Sequence, residues 1–156
     1  MVRSEGAEDE FRAFMLDAEP RLRRALVAAY GGQRGRDATA EALAYGWEHW
    51  SRVRSMEHPV GYLFRVGQSR SRPRRRRVLA ERPPVDDVWC EPGLPRALGI
   101  LTEQQRVAVV LHHGYGWSLS EVSELLRIRK STAQNHVERA MTILRERLEG
   151  SPNVRP

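Results

Sequence analysis

Hydrophobic residues recur at helical spacing, every three or four positions, most clearly between Leu101 and Leu148. The pattern there predicts three helices with start and stop signals at their junctions. Thr102 with Gln105, and Ser118 with Glu121, fit capping boxes at the starts of the first and second helices. Gly114 and Gly116 then predict where the first helix ends.

These three helices each have one apolar face, which predicts that they pack around a common core. Only the short turn Arg127–Arg129 separates the second helix from the third. This is the arrangement of a helix-turn-helix, whose second helix can enter the major groove of DNA. The apolar positions are Val107, Val110 and Leu111 in the first helix, Leu119, Val122, Leu125 and Leu126 in the second, and Ala133, Val137, Ala140, Met141, Leu144 and Leu148 in the third.

The N-terminal half shows the same period and predicts three further helices. The first runs over residues 8–30, either as one helix kinked at Pro20 or as two helices that meet there. A glycine-rich loop over residues 31–35 precedes a second helix capped by Asp37. After a polar, basic segment, Pro59 suits the first position of the third helix. The predicted buried positions are Phe11, Phe14, Met15, Ala18, Leu22, Ala25, Leu26 and Ala29 in the first helix, Ala40, Leu43, Trp47 and Trp50 in the second, and Val60, Leu63, Phe64 and Gly67 in the third.

The stretch between the two halves has no sustained period. Six arginines cluster within residues 70–77, and Pro73 among them predicts the end or a bend of the third helix. A segment rich in proline and acidic residues follows. A short lead-in helix is expected over residues 95–100, before the helix-turn-helix. We therefore predict an all-α chain of two small helical domains. Residues 1–77 form the first domain, 78–94 a flexible linker, 95–150 the second domain and 151–156 a disordered tail.

Composition narrows the choice of partner. The 156 residues have a net charge of +6 and a pI of about 10.4, which favour a polyanion such as nucleic acid. Lys130 is the only lysine, and a GC-rich genome also produces such an arginine bias, so the total charge is supporting evidence only. No apolar run is long enough to span a bilayer, and the polar, acidic N-terminus is unlike a secretory signal. The single cysteine, Cys90, predicts a reducing cytoplasm.

No group of residues suggests catalysis. We find no Ser/His/Asp set, no paired carboxylates, no phosphate-cradling glycine loop and no metal-ligand spacing. His112 and His113 resemble a metal pair, but neighbouring residues on a helix point apart, so a role at the helix end is favoured. We therefore predict no enzyme activity, cofactor, metal or small-molecule substrate.

Two helical domains, a linker and a C-terminal helix-turn-helix together resemble a bacterial sigma factor of the extracytoplasmic-function (ECF) group. In the first domain the resemblance rests on DATAEALAYGWEHW, then RVRSMEHPVGYLFRV and the arginine cluster. In the second it rests on LTEQQRVAVVLHHGYGWSLSEVSELLRI followed by STAQNHVERAMTILRERL. It covers roughly residues 8–149, and the two halves occur in the order and at the spacing of that family.

The resemblance implies roles for the first domain. The helix over residues 37–50 would dock on the clamp of core RNA polymerase, and the loop after it would capture unpaired promoter bases. Core burial and base contact are equally compatible with the two tryptophans of this helix, and we expect Trp50 to be the more exposed. The acids of the linker, Asp86, Asp87 and Glu91, would mimic nucleic acid near the RNA exit path. The polymerase set is Asp37, Glu41, Tyr45 and Glu48; the set for promoter melting and the downstream element is Trp50, Arg52, Arg54, His58, Arg65, Ser69, Arg70 and Arg72.

The second domain would bind the upstream promoter element through its last helix. Backbone N–H groups at the start of that helix favour phosphate, glutamine or asparagine fits the adenine edge, and arginine fits the guanine edge. Arg127 stands where the family usually has glycine, which implies a small strain or a different turn. Arg129 replaces a common capping residue, which predicts a cap at Ser131. The predicted upstream-element residues are Arg129, Lys130, Ser131, Thr132, Gln134, Asn135, Glu138 and Arg139.

The resulting prediction is a cytoplasmic, nucleoid-associated bacterial sigma factor. Its expected partners are core RNA polymerase, double-stranded and melted promoter DNA, and an anti-sigma factor, with no membrane. One alternative is a regulator of the LuxR type, since STAQNHVERA also resembles that recognition helix. Another is a degenerate sigma-like protein that occupies polymerase or an anti-sigma factor without opening promoters. Departures from the family pattern at Ala40, Tyr45, Gly67 and Pro73 motivate this second alternative.

Overall fold

The computed structural model describes residues 2–71 and 93–150, with side chains from residue 5 onward. All regular structure in these two ranges is helical, which confirms the all-α prediction. The chain divides into two compact units, Met1–Arg76 and Arg77–Pro156. Residues 72–92, which include Pro73, the arginines after it and most of the predicted linker, lie outside the described residues, as does the C-terminal tail. The last residue of the predicted linker, Leu94, instead begins α5. The helices are α1 (Val2–Tyr30), α2 (Gly32–Glu48), α3 (Trp50–Val53), α4 (Pro59–Ser71), α5 (Leu94–Ile100), α6 (Glu103–Val109), α7 (Leu119–Leu126) and α8 (Lys130–Glu149), with a π-helical turn over Val110–Gly114.

The first unit is built on α1, α2 and α4, which all pack on one another. Helix α1 continues through Pro20, so the two-helix alternative is wrong. Helix α4 begins at Pro59 and buries its apolar side, as predicted. The buried residues of the unit include Leu22, Ala25, Leu26, Ala38, Ala42, Leu63 and Phe64.

The start of α2 differs from the prediction. The expected loop over residues 31–35 is instead a single non-helical residue, Gly31 (φ 86°), followed at once by the helix. Asp37 is therefore not a cap but lies in the second turn, where its carboxylate accepts a hydrogen bond from Gln33. The reason is close helix packing: a Cβ at Gly35 would lie 2.5 Å from the Cα of Val27 in α1. The glycines that suggested a loop allow α1 and α2 to touch.

The face that α2 buries is also turned from the predicted one. Ala38, Ala42, Leu43 and Gly46 are buried, whereas Ala40 is exposed. The helix ends at Glu48 rather than at residue 50, because His49 leaves helical geometry (φ −114°, ψ 24°) and α3 starts after it. The predicted basic loop is accordingly shorter, since residues 51–53 belong to α3.

The second unit contains α5 to α8. The lead-in helix is confirmed as α5, and both predicted capping boxes are present at Thr102 and Ser118. In each box the cap hydroxyl accepts a hydrogen bond from the backbone N–H three residues on, and the side-chain oxygen of that residue accepts one from the backbone N–H of the cap. The apolar stripe of α8 is confirmed at its centre: Ala133, Val137, Ala140 and Leu144 are buried.

Helix α6 does not end directly at a glycine, although the sequence pattern predicted that it would. The helix continues into the π-helical turn, which contains Gly114. Of the two glycines at this end, Gly116 is the one with a positive φ (72°). The Nδ1 of His112 lies 2.6 Å from the carbonyl oxygen of Trp117 and donates to it, because a carbonyl can only accept. His112 thus closes this helix end, as the sequence argument predicted. No helix in the described part of the chain is both long and apolar enough to cross a membrane.

Candidate nucleic-acid interface

The turn between α7 and α8 determines how the last helix is presented. Arg127 adopts the left-handed conformation (φ 52°, ψ 50°), and it is the one non-glycine residue with positive φ among the described residues. The N–H of Arg127 donates to Glu124 O (3.4 Å) and that of Ile128 to Ser123 O (3.1 Å), the two bonds of a Schellman motif. A side chain in this conformation costs roughly 1–2 kcal/mol. The strained turn is therefore present, and the alternative of a different turn is wrong.

Helix α8 starts two residues earlier than a cap at Ser131 would require. Its N-cap is Arg129, in extended conformation (φ −69°, ψ 150°), and no side chain caps the helix. The Schellman motif commits the chain to α8 at once, so Ser131 falls inside the first turn. The N–H groups at Lys130, Ser131 and Thr132 consequently lack a side-chain cap, and they form the positive end of a 20-residue helix dipole.

The predicted upstream-element residues are brought together on and just before the N-terminal half of α8. Their side of the helix is opposite the buried stripe at Ala133 and Val137, so they are displayed to solvent. Thr132 is half-buried and the other seven are exposed. Gln134 donates a hydrogen bond to Glu138 (3.0 Å), which holds two polar side chains in a fixed orientation along this surface.

His136 adds a neutral ring at the edge of the same surface. Partial burial lowers the pKa of this imidazole, and the positive charge of Arg139 lowers it further. The free protein therefore favours the neutral ring beside Arg139. Sequence reasoning missed His136, although it lies one residue from Asn135 in the predicted recognition helix.

The predicted polymerase residues form a row on α2. Asp37, Glu41 and Tyr45 are four residues apart and thus share one side of the helix; Glu48 continues the row, and the three carboxylates are exposed. Arg70 of α4 reaches this row: it lies 4.0 Å from Glu41 and places its guanidinium 5.6 Å from the ring centre of Tyr45. The structure therefore joins two sets of residues that the sequence analysis had assigned to different partners.

Aromatic and basic side chains surround that junction. The hydroxyls of Tyr45 and Tyr62 are 3.1 Å apart, and this hydrogen bond, together with desolvation, raises the pKa of Tyr45. His49 stacks on Tyr45 with ring centres 4.0 Å apart, and Arg52 lies 6.0 Å from the Tyr62 ring centre. Beside them, a shallow groove is lined by Tyr45, Arg65, Val66, Ser69 and Arg70. We call these residues, with His49, Arg52 and Tyr62, the aromatic-basic surface.

The sequence analysis assigned no role to two members of this surface, His49 and Tyr62. The four-residue spacing of Tyr45 and His49 was the available signal for the first. Tyr62 stands inside the quoted PVGYL motif, but its partner on α2 could be found only from the packing of α4 on α2.

Two predicted downstream-element residues, Arg54 and His58, lie apart from the aromatic-basic surface, and a third, Arg72, is not among the described residues. Arg54 forms an ion pair with Glu10 of α1 (2.9 Å), and His58 lies 3.9 Å from Glu57. Arg72 belongs to the residues that the structure does not describe.

The expectation that Trp50 is the more exposed tryptophan is wrong. Trp50 is 9% exposed and Trp47 is 42% exposed. The Trp50 ring centre lies 5.2 Å from that of Phe11 and 5.1 Å from that of Phe14, and its Nε1 is buried without a partner among the described residues. The break at His49 turns Trp50 toward α1, so this ring is part of the core and presents no free face to a base.

Comparison with known proteins gives one match to a family model and one to a solved structure. The family model described as sigma-70, region 4, matches residues 93–144, which include α5 to α7 and most of α8. No curated protein matches the chain. Among solved structures, the chain is similar to the sigma factor RpoE from Bartonella quintana, solved in complex with the anti-sigma factor NepR. That likeness has a TM-score of 0.68 at 20% identity, and covers 92% of this chain and 99% of the other. Residues 93–144 are thus similar to sigma-70 region 4, and the fold resembles that of RpoE along nearly the whole chain.

Proposed function

We propose that this protein binds core RNA polymerase, recognises promoter DNA and initiates transcription. The observation that carries the proposal is the helix-turn-helix of the region 4 match, whose α8 displays a polar, basic surface opposite its buried stripe. It acts as a binding subunit and catalyses no reaction itself. Its place of action is the bacterial cytoplasm, at the nucleoid.

In this proposal α8 enters the major groove at the upstream promoter element. Lys130 and Ser131, with the uncapped N–H groups of the first turn, hold a phosphate and fix the register. Gln134, Asn135 and Arg139 then face base edges, where each well-placed bidentate pair contributes roughly 1–3 kcal/mol of discrimination. The Gln134–Glu138 hydrogen bond orients the glutamine amide before DNA arrives.

The first unit meets the polymerase clamp and the melted strand. Asp37, Glu41 and Glu48 present exposed carboxylates to basic groups of the clamp. The aromatic-basic surface is suited to unpaired DNA, because its arginines attract phosphates and its rings offer stacking partners worth roughly 1–3 kcal/mol per base. Arg52, Arg65, Ser69 and Arg70 retain their predicted roles here, whereas the stacking role passes from Trp50 to the exposed side of the Tyr45–His49 pair.

An anti-sigma factor is the proposed regulator. The similar RpoE structure was solved with such a partner, NepR. We infer that a partner of this class also binds this chain and competes with core polymerase for it.

One experiment tests the proposal. Purified protein is mixed with core polymerase from the source organism, passed over a sizing column, and then assayed for run-off transcription on promoter fragments from the source genome. Co-elution and promoter-dependent transcripts are expected. Absence of co-elution refutes the polymerase role, and a dimer that binds palindromic DNA without polymerase establishes the LuxR-type alternative. Co-elution with no transcript from any fragment establishes the interaction-only alternative.

A further inference from the structure

Arg127 pays a conformational cost that glycine at the same position avoids. Its left-handed backbone is required by the Schellman motif that joins α7 to α8. Glycine adopts this conformation without steric conflict, so the fold itself favours glycine here. Backbone strain that persists at a surface turn suggests that the side chain at that position has a function.

The Arg127 side chain contributes no contact that explains its presence. The residue is exposed, and within the described ranges its guanidinium makes no hydrogen bond, ion pair or ring contact. The turn therefore keeps a strained backbone although the arginine side chain makes none of these interactions with the described residues.

The surroundings of Arg127 favour a negatively charged partner. Arg129 and Lys130 follow within three positions, both exposed, and the first turn of α8 contains no acidic residue. Three like charges repel one another at the positive end of the α8 dipole, and an anion bound among them removes that repulsion. In a region 4 helix-turn-helix, the anion available at this place is the DNA backbone that borders the groove.

We propose that Arg127 binds a backbone phosphate of the DNA into which α8 inserts. This inference rests on the proposed function, because it assumes that α8 lies in the major groove. It adds a positioning residue outside the recognition helix, one that contributes affinity and register without reading bases.

The test uses two opposite effects of one substitution. Removing a single phosphate contact lowers the magnitude of the slope of log affinity against log salt by about 0.9. Arg127→Gly should therefore bind duplex DNA several-fold more weakly, with that reduced slope, and yet unfold at a temperature about 4 °C higher because the strain is relieved. Arg127→Lys should keep most of the affinity and the wild-type slope, without the gain in unfolding temperature.

The probe is a fluorescein-labelled duplex of about 30 base pairs and arbitrary sequence, since phosphate contacts supply non-specific binding at low salt. Anisotropy titrations of the full chain across a salt series give affinity and slope. Arg145→Gln is the matched control: it removes one exposed arginine from the far half of α8, about 22 Å from Lys130 at 1.5 Å per residue, and should leave both unchanged.

The outcomes separate this inference from the proposed function. Weaker binding with a smaller slope for Arg127→Gly, but not for Arg145→Gln, supports the phosphate contact. Wild-type binding and slope in Arg127→Gly overturn it, while the proposed DNA-binding role of α8 stands if Lys130→Ala still weakens binding. Duplex binding that neither Arg127→Gly nor Lys130→Ala affects overturns both.

Discussion

In the proposed function, Arg70 is the residue at which the polymerase-binding and DNA-binding roles of the first unit meet. It pairs with Glu41 at 4.0 Å, and both side chains are about half exposed. Exposed pairs of this kind contribute roughly 0–1 kcal/mol, so a basic group of the clamp can replace Arg70 at Glu41 at little cost. Under this proposal, docking on polymerase would leave Arg70 available to a DNA phosphate and would couple the two binding events through a single side chain.

His136 gives the second unit a dependence on pH. Its pKa is held below the ordinary 6.5 by partial burial and by Arg139, so the unfolded chain takes up this proton first as the pH falls. Stability that is present at neutral pH should therefore decrease as the pH falls through about 6.5. Proton NMR should give a His136 pKa below 6.5, and Arg139→Ala should raise it. A pKa at or above 6.5 in the wild type contradicts the proposed environment of the ring.

At the scale of the helix, the approach of α1 to α2 depends on Gly35. Gly35→Ala would place a Cβ 2.5 Å from Val27 Cα and 2.6 Å from Val27 N, contacts with main-chain atoms that cannot rotate away. We expect the first unit to lose about 1–3 kcal/mol of unfolding free energy or more. Urea denaturation of the full chain, followed by circular dichroism, measures this. Gly6→Ala is the matched control because nothing lies within 4 Å of its added Cβ, and it should be neutral or slightly stabilising. Equal stability of both variants would show that α1 and α2 are not in such close contact.

The elements that local signals specify could be predicted, and those that packing specifies could not. The capping boxes at Thr102 and Ser118 are formed by residues three apart, so their spacing is visible in the sequence. The glycines of residues 31–35 are compatible with a loop and also with a close contact between helices. The contact becomes apparent only when the backbone of Val27 is known to lie beside Gly35. Trp50 was misassigned for a related reason, since one non-helical residue at His49 turns everything after it.

The candidate sites follow the same division. The exposed face of α8 could be predicted because a single helix contains both its buried stripe and its opposite surface. The aromatic-basic surface could not, because Tyr45 and Tyr62 are 17 residues apart and meet only through the packing of α2 and α4.

At the scale of the whole molecule, we predict a division of labour between the two units. Arg139→Ala should weaken binding to upstream-element DNA by roughly 10-fold or more, which is the loss of one bidentate base contact, and should leave core polymerase binding unchanged. Glu41→Lys should do the reverse, since it reverses the charge of one carboxylate in the row on α2. Binding to immobilised core polymerase and to duplex promoter DNA measures the two effects separately.

Glu8→Lys provides the control for Glu41→Lys, since it makes the same charge change at an exposed position of α1. It should alter neither interaction by more than a small factor. Loss of both interactions in either test variant would contradict the division of labour.

The close contact at Gly35 should also limit which amino acids can replace this glycine. Every single-nucleotide change that replaces a glycine adds at least a Cβ, and at this position that atom meets main-chain atoms of α1. In a saturation library selected for function, codon 35 should therefore keep only synonymous changes, whereas the codons of Gly6 and Gly99, which have open space around them, should accept many residues. The contact between α1 and α2 would then appear in the library as one position that accepts only glycine.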